Sequence, residues 1–244
     1  MYELRGVPAM TSYSLAERFE APQGEGLYSG TPMKFARLVG CSVGKGVCEA
    51  CDTDFDRVRA DCGGGSFTAA ELAEWAGAYR HVCLTGGEPL DRDVREIWTA
   101  LAAKGILCHV ETSGTRQPKW LDPVPQPRKP GIHQLGCMTE AGVTEWRMLP
   151  LWVTVSPKPG FLPGMVERVA DEVKVVLGGL GSGAGWPTAA DAVRWADAGL
   201  LVYVQPRNEY DAVDRTALNE ALEIVTRHPQ LRLSCQLHKF LGVR

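Results

Sequence analysis

The chain has 244 residues, 45% of them apolar, which suits one large domain or two small ones with a sizeable core. Its net charge of −3 speaks against a nucleic-acid scaffold, which shows a basic face. No apolar run reaches the roughly 18 residues of a membrane span, and the start, MYELRGVPAMTSYS, lacks the apolar core of a secretory signal. The expected setting is cytoplasmic and reducing, with no nucleic-acid and no membrane partner.

Residues 1–11 show no periodicity and read as a loose tail, with Met10 as an alternative start. Ala21–Gly30, APQGEGLYSG, is glycine-rich and is either a turn or a loop that brings backbone N–H groups to a ligand. Lys34–Val39 reads as a strand. Arg37 inside it is an anion contact or half of a structural ion pair, since a lone buried charge is costly. Thr68 and Glu71 form a capping box opening a helix to about Tyr79, with Leu72, Trp75, Ala76 and Tyr79 on one face. The strand His81–Leu84 runs into TGGEP, and a helix covers about 92–103. The strand Ile106–Val110 runs into ETSGT.

Gln117–Pro150 carries Pro118, Pro123, Pro125, Pro127, Pro130 and Pro150, and reads as a partly ordered surface insertion. Strands resume at Trp152–Val155, ending in SPK, and at Glu172–Leu177. The stretch 178–185 is a flexible connection, because the phosphate-loop pattern is absent. Thr188 and Asp191 cap a helix through about Ala198. Leu200–Val204 is a strand ending in QP. Leu218, Leu222 and Val225 mark a helix closed by Pro229, and Leu231–Gln236 is the last strand.

Short apolar runs with helices between several of them predict parallel βα units, with polar motifs at the C-terminal ends of the runs. About seven strands and four helices are too few helices for a closed eightfold barrel. The expected fold is α/β, a partial, open βα barrel of about six to seven mainly parallel strands with a reduced helix count. It forms one domain over 12–244, interrupted by the insertion at about 117–150.

The stretch Gly40–Phe55, GCSVGKGVCEACDTDF, carries Cys41, Cys48 and Cys51 as C-x6-C-x2-C. In a reducing setting this spacing suits a metal or an iron–sulfur cluster better than disulfides. Three thiolates leave one coordination position open, as at catalytic metal sites. Alternatively, Cys62 completes a structural zinc site. Cys83, Cys108 and Cys235 read as buried core thiols, and Cys137 sits in a polar loop without evident role.

The ordered series QGEG (23–26), CDTDF (51–55), TGGEP (85–89), ETSGT (111–115), SPK (156–158), EVK (172–174), QP (205–206) and HK (238–239) resembles the 7-carboxy-7-deazaguanine synthase family of radical S-adenosylmethionine enzymes. The likeness spans about 12–244 apart from the insertion. Two departures stand out: the first cysteine gap is six where three is usual in the superfamily, and Ser113 replaces an asparagine.

The resemblance implies a 4Fe–4S cluster on Cys41, Cys48 and Cys51, whose fourth iron takes S-adenosylmethionine and whose electron cleaves it to a 5′-deoxyadenosyl radical. It places Ala50, Asp52, Gly86, Gly87, Glu88, Thr112, Ser113, Ser156, Pro157, Lys158 and Gln205 on S-adenosylmethionine. It places Pro22, Gln23, Gly24, Glu25, Arg37, Thr85, His238 and the terminal carboxylate of Arg244 on the substrate, 6-carboxy-5,6,7,8-tetrahydropterin. Thr53 would ligate Mg²⁺. Product would be 7-carboxy-7-deazaguanine, in queuosine-type biosynthesis, with ammonia released. A flavodoxin or ferredoxin would donate electrons, and a homodimer is implied. The alternatives are another small radical enzyme or activase, and a non-catalytic zinc or iron–sulfur module.

Overall fold

The computed structural model describes residues 11–48, 51, 53–122, 131–139, 142–178, 183–209 and 212–242. Met10, Ala50, Asp52 and Arg244 lie outside the described residues, as do 179–182 of the glycine-rich connection.

In chain order the strands are β1 Ser12–Pro22, β2 Pro32–Leu38, β3 Gly65–Thr68, β4 His81–Gly86, β5 Leu107–Thr112, β6 Leu121–Asp122, β7 Ile132–Thr139, β8 Gly142–Val155, β9 Glu172–Leu177, β10 Leu201–Pro206, β11 Asn208–Glu209, β12 Ala212–Val213 and β13 Arg232–Leu233. The α-helices are α1 Ala69–Ala76, α2 Arg95–Ala103, α3 Ala189–Asp197, α4 Arg215–Arg227 and α5 Leu237–Leu241. A single wide helical turn, Met165–Val169, precedes β9.

Seven strands run parallel in the order β2, β4, β5, β8, β9, β10, β13. At one edge β1 pairs antiparallel with β2 and β3 pairs antiparallel with β1. The sheet runs from β13 to β3 without those two edge strands pairing among the described residues, so the barrel is open, with α1 to α4 in the connections between strands and α5 after the last one. This is the expected partial barrel.

Alternation along the strands divides the side chains into two sets. One set packs outward against the helices. Val82, Leu84, Val110, Val153, Val173 and Val204 meet Leu72, Ile97, Trp98, Leu101 and Trp195 in a continuous core. Fully burying such an aliphatic side chain contributes roughly 1.5–3 kcal/mol. Both capping boxes are formed: Thr68 accepts from the Glu71 N–H at 3.2 Å, and Thr188 from the Asp191 N–H at 3.2 Å.

The other set points into the barrel. At the N-terminal end of the strands it is aromatic. His81 Nδ1 lies 2.9 Å from His109 Nε2, and the Tyr28 ring packs edge-on to His109 and Trp152. Burial, and then the neighbouring His81, pull the His109 pKa down to about 3, so this layer is neutral. Nearer the C-terminal rim the inward side chains become polar, and there the cavity opens.

Several elements differ from expectation. β1 and β3 had no periodic signal, because β1 carries Glu17, Arg18 and Glu20. Those charges find partners across the fold: Glu17 accepts from Arg37 at 2.8 Å and Arg59 at 3.5 Å, while Glu20 pairs with Lys34. The insertion at 117–150 contains the antiparallel pair β7–β8, so Cys137 is in a strand, not a polar loop. The last strand is only β13, and Cys235 beyond it is exposed rather than a core thiol, because the chain leaves the sheet after two residues. The segment after it, Leu237–Leu241, is the helix α5.

Candidate active site

The cysteine loop leaves the end of β2 and is closed at its neck by the Gly40 N–H, which donates to the Phe55 carbonyl at 2.7 Å. Inside it, Cys51 N–H donates to the Cys48 carbonyl at 3.0 Å. Cys41, Cys48 and Cys51 form no disulfide and all border one cavity of about 340 Å³ at the C-terminal rim. Burial raises the Cys48 thiol pKa, with Lys158 pulling the other way.

Glycines let the next motif come close. A Cβ on Gly87 would lie 1.7 Å from the Gly40 carbonyl oxygen, and Gly86 has φ +96°. The TGGEP turn therefore lies directly against the root of the cysteine loop. Glu88, buried at 2% exposure, accepts from Thr112 Oγ1 at 2.6 Å, the Ser113 N–H at 2.9 Å and the Leu90 N–H at 3.1 Å. Ser113 Oγ also donates to it. The Glu88 carboxylate thus ties the end of β4 to the end of β5. Ser113, in the place of an asparagine, supplies two of these bonds.

Across the rim, Ser156 N–H donates to the Thr112 carbonyl at 2.8 Å and Lys158 N–H to the Ser113 carbonyl at 3.1 Å. Lys158 Nζ reaches Ser156 Oγ at 3.0 Å and lies 5.4 Å from the centre of the Trp186 ring. Burial lowers the Lys158 pKa.

The floor is a network around Glu25. Its carboxylate takes Lys174 Nζ, Gln205 Nε2 at 3.1 Å and Gln236 Nε2 at 2.9 Å. Burial raises the Glu25 pKa, but the Lys174 charge and the hydrogen bonds outweigh it and hold it at about 2. Lys174 also lies 3.5 Å from Glu111, and the surrounding carboxylates drive its pKa up against the cost of burial. Gln23 Nε2 donates to Glu111 at 3.0 Å, while Gln23 Oε1 accepts from the Gly24 N–H at 2.8 Å.

The QGEG loop is pinned from behind. Gly24 C=O accepts from the Leu237 N–H at 2.9 Å, which brings α5 to the cavity. A Cβ on Gly24 would stand 2.0 Å from His238 Nδ1, so only glycine leaves room for that ring. The Leu27 N–H donates to Glu172 at 2.8 Å and the Gly26 N–H to Ser234 at 3.2 Å.

Of the residues singled out in the sequence, Pro22, Gln23, Gly24, Glu25, Arg37, Cys41, Cys48, Cys51, Thr53, Thr85, Gly86, Gly87, Glu88, Thr112, Ser113, Ser156, Lys158, Gln205 and His238 all border this cavity. Pro157 is buried and is not among the lining residues, because its neighbours Ser156 and Lys158 take the inward positions. Arg37 borders the cavity but is also ion-paired to Glu17. Cys62 is elsewhere, its thiol 3.4 Å from the Asp61 carboxylate.

The chain is 32% identical to a 7-carboxy-7-deazaguanine synthase of Bradyrhizobium diazoefficiens, across 96% of this chain and 100% of that protein. The chain belongs to the 7-carboxy-7-deazaguanine synthase family. The synthase of Bordetella pertussis is 33% identical over 95% of this chain and 99% of its own. Among solved structures, the crystal structure of QueE from Escherichia coli matches with a TM-score of 0.60 at 25% identity, covering 93% of this chain and 95% of that one. No protein-family model matches.

Membership makes the chain a radical S-adenosylmethionine lyase, for which an iron–sulfur cluster and S-adenosylmethionine are expected. The donor set fits. Among the described residues no three His, Cys, Asp or Glu side chains converge as they would around one metal ion. A cluster needs no such convergence, since each sulfur takes a different iron. No helix among the described residues is long and apolar enough to cross a membrane.

Sequence reasoning assigned no role to several residues that line the site. Lys174 and Glu111 stand in the quoted motifs EVK and ETSGT, and that membership was the available signal. Phe19, Phe35, Trp186, Asn208 and Gln236 gave none, since their approach depends on the fold.

Proposed function

We propose that this synthase-family chain contracts 6-carboxy-5,6,7,8-tetrahydropterin to 7-carboxy-7-deazaguanine with loss of ammonia. The observation that carries this reading is the meeting, in one cavity, of motifs from six separate strand ends with three cysteines that form no disulfide. Substrate less one ammonia equals product, so the overall reaction needs no net oxidant or reductant.

When bound, the cluster and S-adenosylmethionine supply a hydrogen-abstracting radical. Cys41, Cys48 and Cys51 would hold the cluster. Gly86, Gly87 and Thr112 would bring backbone and hydroxyl groups to S-adenosylmethionine, with Ser156, Lys158 and Gln205 as further polar contacts. Glu88 and Ser113 act through their bonds to β5 and its loop, as positioning residues. By resemblance Ala50 and Asp52 belong to the same subsite.

The pterin would lie over the Glu25 network. Glu25 is ionised at neutral pH and offers an acceptor to the N–H groups of an aminopyrimidine ring, which need partners once buried. Lys174 holds that carboxylate in place and keeps its charge compensated. Gln23, Gly24, Arg37, Thr85 and His238 supply the rest of the pocket, with Pro22 at its edge and Arg244 by resemblance. Phe19, Phe35 and Trp186 give it apolar walls that restrict water. Thr53, 7% exposed and bordering the same cavity, would ligate Mg²⁺ shared with the substrate carboxylate.

The same reading makes residues 12–244 one unit with 117–150 as an accessory hairpin, acting in the cytoplasm as a homodimer with a flavodoxin or ferredoxin as electron donor. The test is anaerobic reconstitution with iron and sulfide, followed by reductant, S-adenosylmethionine and the pterin. Mass spectrometry should find 7-carboxy-7-deazaguanine. Cleavage of S-adenosylmethionine with no change in the pterin would refute the substrate and leave the radical enzyme.

A further inference from the structure

Asn208 sits just past the end of β10, in the short strand β11. It pairs in register with Val213, and the preceding Arg207 N–H donates to the Leu177 carbonyl at 2.9 Å. The side chain has no such duty. It is 2% exposed, yet neither Oδ1 nor Nδ2 has a hydrogen-bond partner among the described residues. Buried amides are paired in the great majority of structures, so an orphan with both ends unpaired needs a reason.

Its place in the fold supplies one. The indole N–H groups of Trp98 and Trp195 are also unpaired, but they lie in the core between sheet and helices, where no ligand comes. Asn208 borders the catalytic cavity. Three residues earlier, Gln205 Oε1 is likewise unpaired on the cavity side, while its Nε2 serves Glu25. Two carboxamides with spare hydrogen-bonding capacity therefore stand together at one strand end.

We infer that Asn208 is a specificity-determining contact for an amino-substituted nitrogen heterocycle, paired through both ends of its carboxamide. An amide offers one acceptor and one donor side by side. That matches an exocyclic amino group beside a ring nitrogen, the edge by which asparagine reads adenine. A carboxylate would engage only Nδ2 and a cation only Oδ1, and either would leave the other end unpaired. This inference rests on the proposed function, under which two ligands carry such an edge: the adenine of S-adenosylmethionine and the pyrimidine ring of the pterin.

The test uses the anaerobically reconstituted protein and two variants. Asn208→Leu keeps the size and removes both hydrogen-bonding groups. Asn208→Asp keeps the acceptor and removes the donor. Equilibrium dialysis measures the Kd for S-adenosylmethionine alone and for the pterin alone, alongside iron content and melting temperature. Both variants should weaken one ligand by roughly tenfold or more and leave the other unchanged, which identifies the heterocycle that is read. Iron content should hold, and the melting temperature of the leucine variant should stay level or rise, because an unpaired buried amide is removed. Both Kd values within about twofold of wild type, or a loss for both ligands in step with a falling melting temperature, overturns the inference. Wild-type protein that binds neither ligand overturns the proposed function, and this inference with it.

Discussion

Lys174 and Glu25 form a buried ion pair at the floor of the cavity, although 149 positions separate them in the chain. Lys174 is 4% exposed at its side chain and also faces Glu111 and Glu172. Removing this cation from among three carboxylates leaves uncompensated buried charge. Lys174→Met should cost about 3–5 kcal/mol in urea unfolding of the cluster-free protein. Adding Glu25→Gln should recover part of the loss, which a double-mutant cycle measures. A Lys174→Met protein as stable as wild type would remove the pair from the account of the floor.

The two glutamates beside Lys174 give opposite pH dependences. The folded pKa of Glu25 is depressed to about 2, so its contribution is present above the ordinary carboxylate range and is lost as pH falls towards 2. Burial raises Glu172 to about 7, with repulsion from Glu111 and Glu25 adding to the rise and the Lys174 charge and the Leu27 N–H opposing it. Its contribution is complete in acid, below the unfolded value, and is lost as pH rises through 7. Glu172→Gln should therefore flatten the decline in melting temperature between pH 5 and 8 that wild type shows, a span set by the shift of this one group. A variant that melts in parallel with wild type across that range would count against the assignment.

Gly87→Ala should lose most of its iron on reconstitution while keeping its far-ultraviolet circular dichroism. The added Cβ would stand 1.7 Å from the Gly40 carbonyl, so the root of the cysteine loop has to move. Full iron loading in this variant would show that the loop tolerates displacement.

Cys62→Ala should keep both the brown colour and the turnover. Its thiol is 3.4 Å from Asp61, and it is not among the residues lining the cavity. Loss of iron from this variant would favour a structural metal site completed by Cys62 instead.

Thr53→Ala should weaken the dependence of turnover on Mg²⁺ and leave the iron content unchanged. Its buried hydroxyl borders the cavity two positions after Cys51. Turnover is measured against Mg²⁺ concentration, and an unchanged curve removes Thr53 from the metal site.

Much of the site was legible because its motifs are local. The cysteines, GGE and SPK sit at the ends of short apolar runs, and a parallel sheet brings all such ends to one rim. The capping boxes at Thr68 and Thr188 were legible for the same reason, since each needs only residues three apart. What the sequence by itself determined was therefore the family, the sheet direction and the identity of the chemistry-bearing side chains.

Only the tertiary structure decided how buried charge is compensated and where the chain strengthens its edges. β1 carries charges at Glu17, Arg18 and Glu20 and reads as a strand only once Arg37, Arg59 and Lys34 meet Glu17 and Glu20. Gln117–Pro150, rich in proline, becomes in part the hairpin β7–β8, a local pairing across 132–150 that the prolines and scattered charge around it concealed. The Glu25 network and the unpaired amide of Asn208 are invisible locally. Compensation of charge and satisfaction of hydrogen bonds depend on which groups meet across strands, and in this fold those groups come from distant parts of the chain.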